Sequence, residues 1–218
     1  MTETCVIFDL DGTLVDSEVL CNQAFVDLLP ELGETAEQLV RRYRGIKLDL
    51  TLADLEKRIG RPLPGTFEAT YRERVAQLFA ERLQPVPGAA AMLDSLDRPK
   101  CIASSGPPQK IAHSLKISGL ASHFGPNIYS SYVVGVWKPE PGLFLHAARD
   151  MGHEPETCIV VEDSDVGVQA AIAAGMAVLR YDPHAAHAVE ATDDRALVFN
   201  DMSQLKALVE GLVAGRAG

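Results

Sequence analysis

The sequence predicts an α/β protein: a three-layer core with a parallel sheet between helices, plus an all-helical domain inserted after the first strand. Three observations predict it. The chain opens on an apolar run, Cys5-Val6-Ile7-Phe8, cut short by Asp9-Leu10-Asp11-Gly12. It is then helical in period over residues 15–83, and from Pro85-Val86-Pro87-Gly88 onward it alternates strand-like and helix-like stretches. Such alternation means parallel strands joined by covering helices. With 218 residues, 47% of them hydrophobic, the chain can build one good-sized core and a small added domain.

The opening run is short, β-branched in its middle and bounded by glycine, which reads as a buried strand whose polar end projects into a crevice. Strand parity puts Asp9 and Asp11 on one face. In the next block Val19, Ala24, Phe25, Leu28 and Leu29 recur at helical spacing, followed by Leu39, Val40 and Tyr43, then Phe67, Tyr71, Val75, Leu78 and Phe79. Breaks at Pro30, Gly33, Gly45 and Gly60-Arg61-Pro62-Leu63-Pro64-Gly65 divide it into about four helices. Strands are expected at Lys100-Cys101-Ile102-Ala103-Ser104, Asn127-Ile128-Tyr129-Ser130, Cys158-Ile159-Val160-Val161-Glu162 and Met176-Ala177-Val178-Leu179-Arg180, with an edge strand at Val198-Phe199. Helices are expected near 89–96, 107–117, 140–151 and 165–174, with a closing helix over 203–212 and a fraying tail over 215–218. The domains are therefore a core of 1–15 with 86–218 and a helical domain of 16–85. Ligands of open α/β sheets bind beyond the carboxyl ends of the strands, so an insertion leaving the first strand there would overhang the crevice as a cap.

Composition excludes several function classes. A net charge of −10 and a pI near 5 leave no basic footprint for nucleic acid or anionic lipid, so neither is expected as a partner. An anionic small molecule stays possible where a few cations converge. Cys5, Cys21, Cys101 and Cys158 lack paired metal spacing and are expected as reduced thiols, mostly buried. The first strand starts too near Met1 for a secretory leader, and no later apolar run is long enough to span a bilayer, so the expectation is a cytoplasmic protein.

Chemically pointed residues stand at the strand ends. Asp9 and Asp11 are like charges so close that they need a cation or a shared proton at neutral pH, although an isolated Asp-x-Asp-Gly also makes an ordinary turn. Ser104-Ser105-Gly106-Pro107 brings hydroxyls and backbone N–H groups to a helix start, which suits an oxyanion but is also a common helix opening. Glu162-Asp163-Ser164-Asp165 puts carboxylates at another helix start, which the dipole favours even without a ligand. Lys138 precedes Pro139-Glu140-Pro141-Gly142, and opposite that acidic set it could neutralise both carboxylates and a phosphate. Each signal is weak alone; the conjunction selects the metal-and-phosphate reading.

In this order the residues resemble the haloacid dehalogenase-like superfamily of phosphotransferases: Asp9-Leu10-Asp11-Gly12-Thr13, strand-ending Ser104, Lys138-Pro139-Glu140-Pro141, and Glu162-Asp163-Ser164 with Gly167. The resemblance covers nearly the whole chain. It implies a Rossmann-like core with an inserted helical cap, Mg²⁺ as cofactor and an aspartyl-phosphate intermediate. By the same resemblance Asp9 is the nucleophile and Asp11 the general acid and base. Mg²⁺ takes Asp9, the Asp11 carbonyl and Asp163, with Glu162 as a ligand or an orienter of ligands. Ser104, Ser105 and Lys138 hold the phosphate.

Asp11 and Glu162-Asp163 disfavour a dehalogenase, which needs neither a second Asp nor a metal. The β-phosphoglucomutase type shares the cap and the motifs, but carries a histidine where this chain has Cys21. That departure favours a phosphatase. Asp16-Ser17-Glu18-Val19-Leu20-Cys21, Arg44-Gly45-Ile46-Lys47-Leu48, Ser105-Gly106-Pro107 and Trp137-Lys138-Pro139 look like the bacterial 6-phosphogluconate phosphatase branch. The expected partner is thus a small phosphorylated metabolite, met by a monomer or small homo-oligomer. Arg44 and Lys47 are candidates for its carboxylate or hydroxyls, although Arg41, Arg42 and Arg44 also read as a solvated helix face. The remaining alternatives are a phosphosugar mutase and an idle binding module on the same fold.

Overall fold

The computed structural model describes residues 3–184 and 196–216. Contacts divide the chain into two compact units, Met1–Val15 with Pro85–Gly218, and Asp16–Gln84. Pro85 belongs to the first through its bridge to Val15, where the sequence put it in the helical domain.

The first unit is built on strands β1 (Cys5–Phe8), β2 (Lys100–Ser104), β3 (Ile128–Ser130), β4 (Cys158–Glu162), β5 (Ala177–Tyr181) and β6 (Ala196–Phe199). All pair in parallel, in the order β3-β2-β1-β4-β5-β6. The chain winds outward from β1 to β3, then returns to lay β4 against the other side of β1. The carboxyl ends of β1 and β4 therefore flank the point where winding reverses, which is where open sheets of this kind bind their ligands.

The pleat sends alternate residues to opposite faces. Cys5 and Ile7 join a core with Cys101, Val160, Leu143, Phe144 and Ala147. Phe8 points the other way and meets Phe124 edge-on, centroids 6.0 Å apart at 71°. Residues 101–103 of β2 and 158–161 of β4 are apolar and buried, as parallel strands covered on both faces must be. All four cysteines are free; Cys5, Cys101 and Cys158 are buried.

Around the sheet lie α5 (Ala89–Ser95), α6 (Pro108–Ile117), the single turn α7 (Ser131–Val134), α8 (Gly142–Asp150), α9 (Asp165–Ala173) and α10 (Leu205–Gly215). The expected fraying at 215 does not occur: α10 continues through Gly215, and Arg216 donates to the Cys158 carbonyl at 3.0 Å. Ala217 and Gly218, also expected to fray, lie outside the described residues. Among the described residues no helix is long and apolar enough to cross a membrane.

The second unit holds α1 (Glu18–Leu28), α2 (Ala36–Tyr43), α3 (Leu48–Ile59) and α4 (Phe67–Arg82). Phe25 of α1 stacks on Tyr71 of α4 at 4.2 Å, and Arg74 reaches Asp27 at 2.6 Å. A capping box of Thr35 and Gln38 starts α2. Tyr43 donates to Asp54 and accepts from Arg58, tying α2 to α3.

Candidate active site

β1 stops at Phe8, so strand parity does not carry to Asp11. Asp9 still holds the β4 ladder, its N–H bonded to the Val161 carbonyl at 2.9 Å. Beyond it the chain folds into a tight loop in which Leu14 and Val15 both donate to the Leu10 carbonyl, and Gly12 to that of Val15. Gly12 takes a φ of +82°, and a Cβ there would lie 2.5 Å from the Asp163 Oδ2. Glycine is therefore required twice, for the left-handed backbone and for the approach of a carboxylate. Thr13, fully buried, donates to Asp163 Oδ1 at 3.1 Å.

At the end of β4, Glu162 Oε2 accepts from the Ser164 N–H at 2.5 Å, and Ser164 Oγ caps α9 by accepting from Gly167 N at 3.1 Å. A side chain at 167 would overlap the Glu162 carboxylate, so this Gly clears its place. Lys138 enters between the two strand ends. Its ammonium donates to Asp9 Oδ1 at 2.5 Å and to Glu162 Oε1 at 2.7 Å, stands 4.9 Å from the Phe144 ring centroid, and its side chain is 3% exposed.

Burial acts on both partners of this pair. It would strip the proton from Lys138, but Asp9 and Glu162 together hold the ammonium above its ordinary range. Burial also pushes Asp9 up, to about 7, against the pull of Lys138 and with help from the negative Glu162 and Asp11. The two directions are compatible because one ammonium serves two carboxylates, leaving Asp9 short of positive charge. Asp9, Glu162 and Asp163, all buried, offer carboxylate oxygens within 4.8 Å of one another. An all-oxygen set with that charge deficit fits a hard divalent cation.

Asp9, Lys138, Glu162 and Asp163 are thus brought together. The Asp11 carboxylate stands outside that three-carboxylate set and accepts from Lys110 at 2.8 Å. Ser104, buried at the end of β2, accepts from the Gly106 N–H at 3.1 Å, which leaves its own proton to give. A Cβ at Gly106 would lie 3.4 Å from Ser104 Oγ and 3.7 Å from Asp11 Oδ2, so this turn runs beside Asp11. Ser105 is exposed on the bend. Arg44 and Lys47 lie in the second unit, both exposed, Lys47 paired with Asp49 at 3.0 Å.

Sequence reasoning gave no role to Lys110, to Ser130 or to Thr13, although Thr13 stands in the motif that carries the resemblance. Lys110 gave a signal: a lysine in the first turn of a helix opposes the macrodipole and needs an acid nearby. Ser130 donates to the Gly106 carbonyl at 2.6 Å and holds the Ser104 turn from β3. Nothing in its local sequence announces that role.

Comparison with known proteins agrees with this geometry. A family model described as haloacid dehalogenase-like hydrolase matches residues 4–175. The chain is similar to the 6-phosphogluconate phosphatase of Escherichia coli K12, 38% identical over 93% of each chain. It is 31% identical to hexitol phosphatase A of the same organism, over 79% of this chain and 80% of that one. Among solved structures it resembles a HAD family hydrolase from Deinococcus radiodurans R1, determined with bound phosphate and sodium. The TM-score is 0.76 and the identity 28%, over 97% of this chain and 96% of that one.

Proposed function

We infer the function from the family: the chain belongs to the haloacid dehalogenase-like hydrolases and is a phosphoric monoester hydrolase acting on a phosphorylated metabolite. Within that class it is a Mg²⁺-dependent phosphatase of a sugar or sugar-acid phosphate, 6-phosphogluconate among them, working through an aspartyl phosphate in the cytoplasm. The observation that carries this reading is the buried Lys138 bridging Asp9 and Glu162 beside Asp163, a cluster of buried carboxylates short of one cation.

Asp9, Asp163, Glu162 and the Asp11 carbonyl would hold Mg²⁺, which when bound offsets the repulsion between carboxylates and an anionic ester. The chain's own groups do the rest. Asp9 attacks phosphorus; its P–O bond forms as the bond to the leaving oxygen breaks, and Asp11 gives that oxygen a proton. Asp11 then takes a proton from water as it attacks the acyl phosphate, freeing Asp9 and inorganic phosphate. Lys138 orients Asp9 and faces the transferred group, while the Ser104 hydroxyl, whose oxygen accepts from the Gly106 N–H, has its proton to give to that group's oxygens. The helical unit serves as the cap, with Arg44 and Lys47 as its substrate contacts.

The test is phosphate release from sugar phosphates and sugar-acid phosphates with Mg²⁺. Asp9→Asn should lower kcat by at least about 10³-fold, and chelator should abolish turnover. Full activity of Asp9→Asn would end the aspartyl-phosphate reading. A mutase, disfavoured by Cys21, would instead yield isomerised ester in excess of free phosphate.

A further inference from the structure

Lys110 stands in the first turn of α6, where the helix dipole disfavours a cation, and its ammonium lies 2.8 Å from Asp11 Oδ1. Its side chain is 24% exposed and that of Asp11 20%, whereas Lys138 is 3% exposed and held between Asp9 and Glu162. The site therefore has one cation locked inside it and another at its accessible side. We propose that Lys110 is a specificity-determining residue that recognises an anionic group, a carboxylate, on the leaving alcohol of the substrate.

The inference rests on the phosphatase reading above, in which Asp11 protonates the leaving oxygen. A group hydrogen-bonded to Asp11 then stands on the leaving-group side of the phosphorus, not on the transferred side served by Lys138 and Ser104. A leaving group that itself carries a carboxylate meets Asp9, Asp11, Glu162 and Asp163 at the strand ends of a chain whose net charge is −10. Coulomb repulsion would disfavour it unless a cation faced it there. Lys110 has a flexible four-carbon stem and three donors, so it can keep Asp11 and accept a second carboxylate. A neutral polyol phosphate of equal length gains nothing from that charge.

The experiment compares 6-phosphogluconate with sorbitol 6-phosphate, which differ only in carrying a carboxylate or a CH₂OH at the far end. The readout is the acid-to-polyol ratio of kcat/KM in the wild type, Lys110→Met, Lys110→Gln and Lys110→Arg. Any effect passed through Asp11 falls on both esters alike and cancels in the ratio. Removing a facing charge in a partly buried site should reduce the ratio by at least about tenfold in the Met and Gln variants, and Arg should restore most of it. The calorimetric affinities of both esters for Asp9→Asn, with and without Lys110→Met, repeat the comparison without turnover. A wild-type ratio near one, or a ratio unchanged in folded Lys110→Met and Lys110→Gln, would overturn the proposal. Should the wild type release no phosphate from either ester, the phosphatase reading falls, and the calorimetric ratio still decides whether Lys110 selects the acid.

Discussion

Lys138 is the residue on which the buried charges depend. Lys138→Met would leave Asp9 and Glu162 facing each other without their ammonium. Breaking a buried pair in this way costs about 3–5 kcal/mol. Activity should fall below detection, and urea unfolding in chelator should show the loss at pH 8. The loss should shrink towards pH 6, because Asp9, already raised to about 7, then binds a proton where it would otherwise stand uncompensated. Gly12→Ala attacks the site from the other side, since its Cβ would sit 2.5 Å from Asp163 Oδ2 on a backbone at φ +82°. It should cost about 1–3 kcal/mol and raise the Mg²⁺ concentration needed for half-maximal rate by roughly tenfold or more, read from a metal titration of phosphate release. Asp9, Glu162 and Asp163 could be picked out from the sequence because each ends or directly follows an apolar run, and a strand's end is where a side chain reaches a crevice, whereas Lys138, which follows no strand, was marked only by the acidic set it would face. The first-turn position of Lys110 hinted at an acidic partner but could not name it, because Asp11 is 99 positions away and the pairing exists only once β1 and β2 lie side by side.

At the scale of elements, β2 and β4 have the bounds their apolar runs suggest, Lys100–Ser104 and Cys158–Glu162. Both are buried on two faces, so hydrophobicity alone marks them. The opening strand misled in one respect: β1 ends at Phe8, and the loop that follows sets Asp11 against Lys110, outside the three-carboxylate set. Parity is a property of an extended ladder and lapses when the backbone leaves it. The single turn α7 also escaped, since four residues are too few to display a helical period. Helix α9 was legible and carries a test of its own. Ser164 caps it through Gly167, and the same residue's N–H holds Glu162. Ser164→Ala should cost about 1 kcal/mol, seen as a melting point lower by about 2–4 °C. The backbone bond to Glu162 does not need the hydroxyl, so Mg²⁺ dependence should change far less than in Gly12→Ala.

Across the whole molecule, the insertion after the first strand was legible because period and composition change together at its borders, and Pro85 moved only because it bridges to Val15. What sequence alone could not supply is the collective charge balance: Asp9 is pushed up by burial, with Lys138 opposing and Glu162 and Asp11 assisting, and those groups come from three separate stretches of chain. That balance couples protons to stability and, on the Mg²⁺ reading proposed above, to metal binding. An acid whose folded value is raised to about 7 binds its proton more tightly folded than unfolded. Between the ordinary carboxylate range and about 7 the folded state thus holds the extra proton, and stability in chelator should fall as pH rises through that window. A divalent cation must displace the same proton, so Mg²⁺ affinity should climb by up to about tenfold per pH unit below 7 and level off above it. The melting-point increase on adding Mg²⁺ should therefore be much larger at pH 8 than at pH 5.5, measured by calorimetry at fixed ionic strength. An increase that did not vary with pH would mean that Asp9 is already ionised without the metal, and that Lys138 alone balances the site.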